Sequence, residues 1–340
     1  LAYNTHYNNL AANYLVNESF LDTALMRNNI VSISKMLNYT PRSKQASKAK
    51  VLLRIPKING ANVYTIPSGS LFTATSGTTT YNFYTLKNFS VQFDASDANG
   101  VTRDVEVEIC EGDKITQRFS ATASQANFPR FELGNKNIDT TTLNVSVNGT
   151  LWTPVTNETQ GTTDVSDLST IYFVEESRNL SHNIMFGNGV LGKNLEVGDE
   201  VLATYLVTNG SEANGIKSFS VGISGRSDIT VVSTVAASGG GDMETIQEIK
   251  DNAPNWFQAQ FRAVTENDYK AILKKEYADI QALNVFGGET VGKPGKVFFS
   301  IKPKSGDKLT EQAKLTITRD ILSKFNLVTV TPQVVDPLIT

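Results

Sequence analysis

The sequence predicts a multidomain α+β protein with N-terminal helices, a central antiparallel β-rich region, and a C-terminal α+β domain whose helices cover one face of a small sheet. Three observations predict it. Apolar residues recur at helical spacing near both ends of the chain. Between about Lys48 and Val235 they alternate in short runs separated by Asn-Gly and Gly-rich turns. A Ser-Gly-Gly-Gly run at 238–241 divides the second regime from the third. At 340 residues the chain is long enough for two or three domains, each with its own core.

Residues 1–45 form the predicted N-terminal helical segment. Phe20, Leu21, Ala24, Leu25, Ile30, Val31, Ile33 and Leu37 follow approximate helical spacing, which predicts helix over 5–38 with a break near Asn28-Asn29. Tyr39-Thr40-Pro41 ends it, because proline disfavours the helical region for the residue before it. The chain starts at Leu1 inside a helical pattern and without an initiator Met, so it is expected to be a piece of a longer protein.

Residues 46–238 form the β-rich region. Ile66-Pro67-Ser68-Gly69-Ser70 is a turn, and Asn99-Gly100, Asn148-Gly149 and Asn209-Gly210 are hairpin signals. Leu143–Val147 and Leu151-Trp152 flank the second of these as paired strands. A stretch of about 90–178 reads as an inserted β module. Arg42, Lys44, Lys48, Lys50, Arg54 and Lys57 form a basic run without acids, expected to be a solvated strand edge protected by lysines.

Residues 236–241 read as a flexible joint. Beyond it, 242–340 gives helix over 243–257 with Asp242 as its cap, and helix over 268–277 opened by Thr265-Glu266-Asn267-Asp268. Strands at 280–286 and 296–302, a helix at 310–325 and a strand at 327–334 complete an α-α-β-β-α-β order.

Composition narrows the functional classes. Lys+Arg 31 against Asp+Glu 34 leaves a net charge of −3, which argues against a broad nucleic-acid surface. The single Cys110 excludes an internal disulfide framework. No apolar run approaches the roughly 20 residues of a membrane span.

The most informative motif is Phe186-Gly187-Asn188-Gly189-Val190-Leu191-Gly192-Lys193. It matches most of a phosphate loop and also a dinucleotide-type glycine pattern. Position 194 is Asn where Ser or Thr would reach magnesium, and Val201, Ala203 and Tyr205 then alternate as in a strand. A second near-match, Gly287 to Lys293, runs into Pro294-Gly295 and another strand. Both loops are therefore read as hairpin connections.

Catalytic and metal chemistry find no foothold. His6 and His182 lack partners at ligand spacing and read as surface or hydrogen-bonded structural histidines. Glu175-Glu176 are neighbours on a strand and face opposite sides, so they cannot jointly serve one substrate without a bulge. The sequence singles out no catalytic, cofactor-binding or metal-ligating residue.

Three series of residues, in order, carry a resemblance. The first is Phe20-Leu21-Asp22-Thr23-Ala24 with Arg27-Asn28-Asn29, then Leu37 to Ser43. The second is Phe186 to Gly192, Gly198-Asp199, Tyr205, and Asn209-Gly210 through Asn214-Gly215. The third is Gly239 to Thr245, Pro254, Arg262 to Thr265, and Asp268-Tyr269. Together they resemble the J-like baseplate proteins of contractile phage tails. The chain departs from that family in Asn188, where many members have Asp, and in the long 90–178 stretch.

The resemblance implies a structural, non-enzymatic wedge subunit of the virion tail, assembled in the host cytoplasm. It implies partners of two kinds, further copies in a dimer or ring and neighbouring wedge proteins. That ring would surround a central hub and stay linked while the baseplate rearranges and triggers sheath contraction. No cofactor, small-molecule substrate or nucleic acid is expected. Two other classes remain open at this stage: a β-rich carbohydrate or cell-surface binding module, suggested by the Thr/Asn-rich strands, and a nucleotide-dependent enzyme using Lys193.

Overall fold

The computed structural model describes residues 2–58, 60–123, 129–155, 165–177, 179–223 and 226–337. It is a mixed α+β structure with a β-rich body and few helices. At the N-terminus, α1 (Ala2–Asn17) and α2 (Arg27–Met36) are separate helices. The break falls at 18–26, not at Asn28-Asn29. Its cause is Glu18, whose carboxylate accepts from the backbone N–H of Leu25 at 2.8 Å and from Asn29 Nδ2 at 2.7 Å. A negative charge held beside the first amides of a helix favours starting the helix there.

The β body contains two large sheets. The first uses β1 (Lys48–Pro56), β3 (Leu71–Ser76), β4 (Thr79–Thr85), β6 (Thr102–Glu111), β14 (Ser220–Gly222) and β15 (Thr230–Ser238) in the order β14-β3-β4-β6-β1-β15. Its pairings are antiparallel, and β14 and β15 approach each other across the curl. Val51, Leu53, Ile55, Phe72, Phe83, Val107 and Ile109 alternate inward to form its core. A small ladder of β2 (Val63–Ile66) and β5 (Phe89–Gln92) adds Ile66 and Val91 to that core.

β1 is thus an interior strand and not the solvated edge expected from its lysines. The charges are paired across the sheet, with Lys50 Nζ 2.6 Å from Glu106 and Arg54 bidentate to Asp104 at 2.9 Å. Lys57 is buried and donates to the carbonyls of Asp94 and Asp97.

The second sheet has the order β7-β13-β9-β10-β11-β12-β8. Its strands are β7 (Asp113–Ser120), β8 (Arg130–Leu133), β9 (Ile138–Val147), β10 (Thr150–Pro154), β11 (Ile171–Glu176), β12 (His182–Phe186) and β13 (Glu200–Val207). Only β10 and β11 run parallel among its ladders. The β9–β10 hairpin turns on Asn148 (φ 49°) and Gly149 (φ 80°), the left-handed pair that an Asn-Gly turn supplies. Asn209-Gly210 opens a short 3₁₀ turn over Gly210–Ala213 instead of a hairpin.

The chain leaves the first sheet at Gly112 and returns at Thr208, so the second sheet is inserted between β6 and β14. This differs from the 90–178 stretch read from sequence, because strand β6 belongs to the first sheet and the second sheet runs on to Val207. The two crossings lie side by side. Gly112 has φ 138°, and a Cβ there would stand 2.8 Å from the Val207 carbonyl. Glu111 closes the neck by accepting from Thr208 Oγ1 at 2.5 Å, Asn209 N at 3.1 Å and Asn209 Nδ2 at 2.8 Å.

The C-terminal part has α3 (Ile246–Ala259), α4 (Glu266–Glu276), β16 (Ala282–Gly287), β17 (Lys296–Lys302), α5 (Glu311–Leu315) and β18 (Thr331–Val335). The sheet order is β16-β17-β18, antiparallel then parallel. α3 is capped by Thr245 and not by Asp242: the Thr245 hydroxyl accepts from Glu248 N while the Glu248 carboxylate accepts from Thr245 N. Thr265 and Asp268 form the same box on α4. The last helix changes to π geometry over Thr316–Ile321 and to 3₁₀ over Leu322–Lys324.

α2 is not a body of its own. Ile30, Val31 and Tyr39 are buried in one cluster with Ile249, Trp256, Ile272, Phe299 and Ile317. Burying Ile30 and Val31 there contributes about 1.5–3 kcal/mol each. Among the described residues no helix is long and apolar enough to cross a membrane.

Candidate functional site

The glycine loop comes first because its spacing suggests a phosphate cradle. Gly187 is required by close approach: a Cβ on it would meet the Gly192 backbone at 2.3 Å. The N–H groups of Val190 and Leu191 donate to Asn188 Oδ1 at 3.1 and 3.0 Å, and Lys193 N donates to the Ser169 carbonyl at 2.8 Å. Those amides face inward, so they are not available to cradle an anion, and strand β13 rather than a helix follows. The loop is also not a hairpin. β12 pairs with β11 and β8, while β13 pairs with β9 and β7, so it crosses the sheet. The Gly287 to Lys293 loop does join a hairpin, β16–β17.

The second conspicuous glycine run was expected to be a flexible joint. It is instead a tightly packed crossing. Ala236, Ala237 and Ser238 belong to β15, paired with β1. Gly241 exchanges both backbone hydrogen bonds with Gln45, at 2.9 and 3.0 Å. A Cβ on Gly240 would lie 2.1 Å from Ser47 Oγ and 2.3 Å from the Gly210 carbonyl, and one on Gly241 would lie 2.3 Å from Ala278 Cβ. Asn214 stitches the site, accepting from Gly240 N at 3.0 Å and donating to the Gly240 carbonyl at 2.9 Å.

Beside this crossing, α2 is tied to both neighbours. Arg27 makes a two-pronged ion pair with Glu176 of β11, at 2.6 and 3.0 Å, and donates to the backbone carbonyl of Glu244. Both side chains of the pair are mostly buried, 14% and 8% exposed. Lys35 at the other end of α2 pairs with Glu175 at 3.2 Å. The two adjacent carboxylates therefore hold one helix, at two points about 12 Å apart along it. The Glu244 carboxylate is buried and accepts from Tyr39 Oη at 2.5 Å, Arg42 N at 3.0 Å and Asn252 Nδ2 at 2.7 Å. Burial, together with the charge of Glu244, drives the Tyr39 phenol far above its ordinary pKa, so it remains a donor.

His182 lies opposite Glu176 in the β11–β12 ladder and is 5% exposed. It was expected to be a surface or hydrogen-bonded histidine. Its Nδ1 is buried without a hydrogen-bond partner. His6 lies on α1 and is exposed. Among the described residues no group of three or more His, Cys, Asp or Glu is placed to hold a metal. A cavity of about 230 Å³ beneath the glycine crossing is lined by Lys48, Glu108, Asp139, Tyr277 and Asp320. Its opposed charges bring no nucleophile against a base. Burial pushes the Cys110 thiol up, which leaves it protonated and inert.

The outer surface is informative at α1. Every side chain from Tyr3 to Asn17 is exposed, and the helix carries no Asp, Glu, Lys or Arg. Tyr3, Tyr7, Leu10 and Tyr14 recur at steps of four, three and four, the seam spacing of a coiled coil. Exposed aromatics elsewhere are Phe20, Phe257 and Phe261, none of them on a strand among the described residues. A glycan-binding sheet face would need such a cluster.

Comparison with known proteins agrees with the motifs. Residues 265–335, from the α4 cap to the end of β18, match the sequence model of the baseplate structural protein gp6, C-terminal domain I. Over 374 aligned residues, 99% of the chain is 29% identical to baseplate wedge protein gp6 of Enterobacteria phage T4. The chain resembles a phage baseplate wedge protein. It spans about half of that wedge protein, 53% of its length. The cryo-EM structure of the anti-feeding prophage baseplate, 6-fold symmetrised, aligns with 92% of the chain and 61% of its own, at 14% identity and a TM-score of 0.26. The likeness to the wedge protein was legible in the three residue series; the α2 tether and the glycine crossing, which lie within those series, were not.

Proposed function

We propose that this chain is a non-enzymatic structural subunit of a contractile-tail baseplate wedge, and hence part of the virion. It associates with further copies and with neighbouring wedge proteins into a ring around the central hub, and the ring stays linked while the baseplate rearranges. The similarity to the T4 wedge protein over nearly the whole chain supports the structural role. The observation that carries the association is α1. An uncharged 16-residue helix with five Asn and no buried face is marginal alone in water. Its Tyr3–Tyr7–Leu10–Tyr14 seam acquires stability by meeting a second helix.

The core clusters group α2 of the N-terminal segment, 1–45, with the C-terminal domain, 242–340, and give the β-rich region, 46–238, two cores, one on each large sheet. Sedimentation of the purified chain tests the reading. Self-association is expected, and Tyr7→Glu with Leu10→Glu should lower it at least about tenfold, whereas Ala12→Glu on the opposite side of the helix should not. A chain that is monomeric at all concentrations, or one whose association ignores the seam substitutions, counts against α1 as the contact.

A further inference from the structure

We propose that His182 is a proton-sensitive release on the Arg27–Glu176 tether, so that acidification weakens the hold of the second sheet on α2 and the C-terminal core. Arg27 ties three parts of the molecule at once: its own helix, Glu176 on β11, and the carbonyl of Glu244 ahead of α3. His182 lies directly across the ladder from Glu176. Its Nδ1 is buried with nothing to accept a proton's hydrogen bond.

When the imidazole is neutral, Glu176 is free to serve Arg27 with both oxygens. When it is protonated, a buried cation stands next to a guanidinium, and Glu176 is the neighbouring carboxylate able to answer it. The other charged groups around this site are engaged. Glu175 pairs with Lys35 and Arg130, Glu132 on β8 accepts from Ser181, and the Glu244 carboxylate is filled by Tyr39, Arg42 N and Asn252. Protonated His182 and Arg27 therefore compete for one carboxylate, and the tether loses a prong or breaks.

Burial holds the His182 pKa below its ordinary value, with Glu176 opposing that shift and Arg27 adding to it. The sign follows. The opened form, with a hydrated imidazole, takes a proton near pH 6.5, and the closed form resists it to lower pH. Between those two values the open-to-closed ratio rises about tenfold per pH unit of acidification. The packing of Ile30 and Val31 keeps α2 with the C-terminal core, so the movement is between that core and the second sheet.

The experiment places spin labels at Leu151→Cys on β10 and Phe257→Cys on α3, both exposed, in the full 340-residue chain; the native Cys110 is buried. One distance is expected at pH 7.5, with a second, longer population growing below about pH 6.5. His182→Gln should keep the single distance down to pH 5, and Glu176→Gln should show the longer distance already at pH 7.5. A distance that does not change with pH in the native sequence overturns the proposal. So does a change that persists in His182→Gln, or loss of far-UV circular dichroism over the same pH interval.

Discussion

Gly240 packs so tightly against Ser47 that a Cβ built on the glycine stands 2.1 Å from the serine Oγ. The contact joins the strand leaving the first sheet to the segment that feeds it, with the Gly210 carbonyl and Asn214 on the other flank.

Gly240→Ala should therefore destabilise the chain, by about 1–3 kcal/mol for an overpacked site that meets the Gly210 carbonyl as well as the Ser47 and Asn214 side chains. Gly60→Ala provides the contrast in space, because nothing lies within 4 Å of its Cβ position, although its φ of 68° brings some strain. Urea midpoints of the two variants, compared with the native chain, check this. A flexible joint would tolerate Gly240→Ala as readily as any solvated linker.

Tyr39→Phe removes one donor from the buried Glu244 carboxylate while keeping the ring that packs edge-on to Trp256. The loss should be about 1–3 kcal/mol, the cost of leaving a buried charged acceptor short of a partner. Tyr269→Phe, which gives up a part-buried bond to Asn326, should cost less. Chemical denaturation of the two variants decides the order.

Glu18 and Glu111 should respond to pH in opposite senses. Hydrogen bonds from Asn29 and Leu25 hold the Glu18 carboxyl below its ordinary pKa, so its contribution is present above the ordinary value of 4.5 and lost as pH falls through the folded value. Burial holds Glu111 above the same reference despite its bonds from Thr208 and Asn209, so its contribution falls as pH rises through the folded value. The stability deficit of Glu18→Gln should thus shrink on acidification, and that of Glu111→Ala should grow. Unfolding curves of each variant against the native chain at pH 4 and pH 7 read both signs.

The second sheet's neck should also be the weak point when Glu111 is lost. At neutral pH, Glu111→Ala leaves the Asn209 N–H, Asn209 Nδ2 and Thr208 hydroxyl without their acceptor, worth about 1–3 kcal/mol together. Proteolysis should then cut near Gly112 and Asn209 before any site within β9 or β13. Cleavage that begins inside those strands would show that the neck is not the hinge of failure.

Local signals made much of this architecture legible. Asn148-Gly149 specifies its own hairpin, and Thr265 with Asp268 specifies its own capping box, because both are written within four residues. β17 was legible to the residue because Lys296–Lys302 is a short, β-prone apolar run framed by lysines and preceded by Pro294-Gly295. The glycine run at 239–241 misled because composition reports freedom of the backbone and not what surrounds it. Ser47, Gly210 and Ala278 come from three distant places in the chain. The basic run in β1 misled likewise, since Glu106 and Asp104 arrive from a strand fifty residues away. Arg27 and Glu176 are 149 positions apart, and no periodicity links them.

The neck at Gly112 and Thr208 has a consequence for how the chain assembles itself. β1 pairs with β15 across 190 positions, Lys48 against Ser238, and the intervening chain must be brought to a short span before that ladder can form. The second sheet does this by folding between two ends that finish side by side. Its completion shortens the route from β6 to β14, so the later strand is delivered to an unfinished sheet instead of searching for it. We expect the place of insertion to set the order of folding, with the guest sheet forming before its host closes around the gap it leaves.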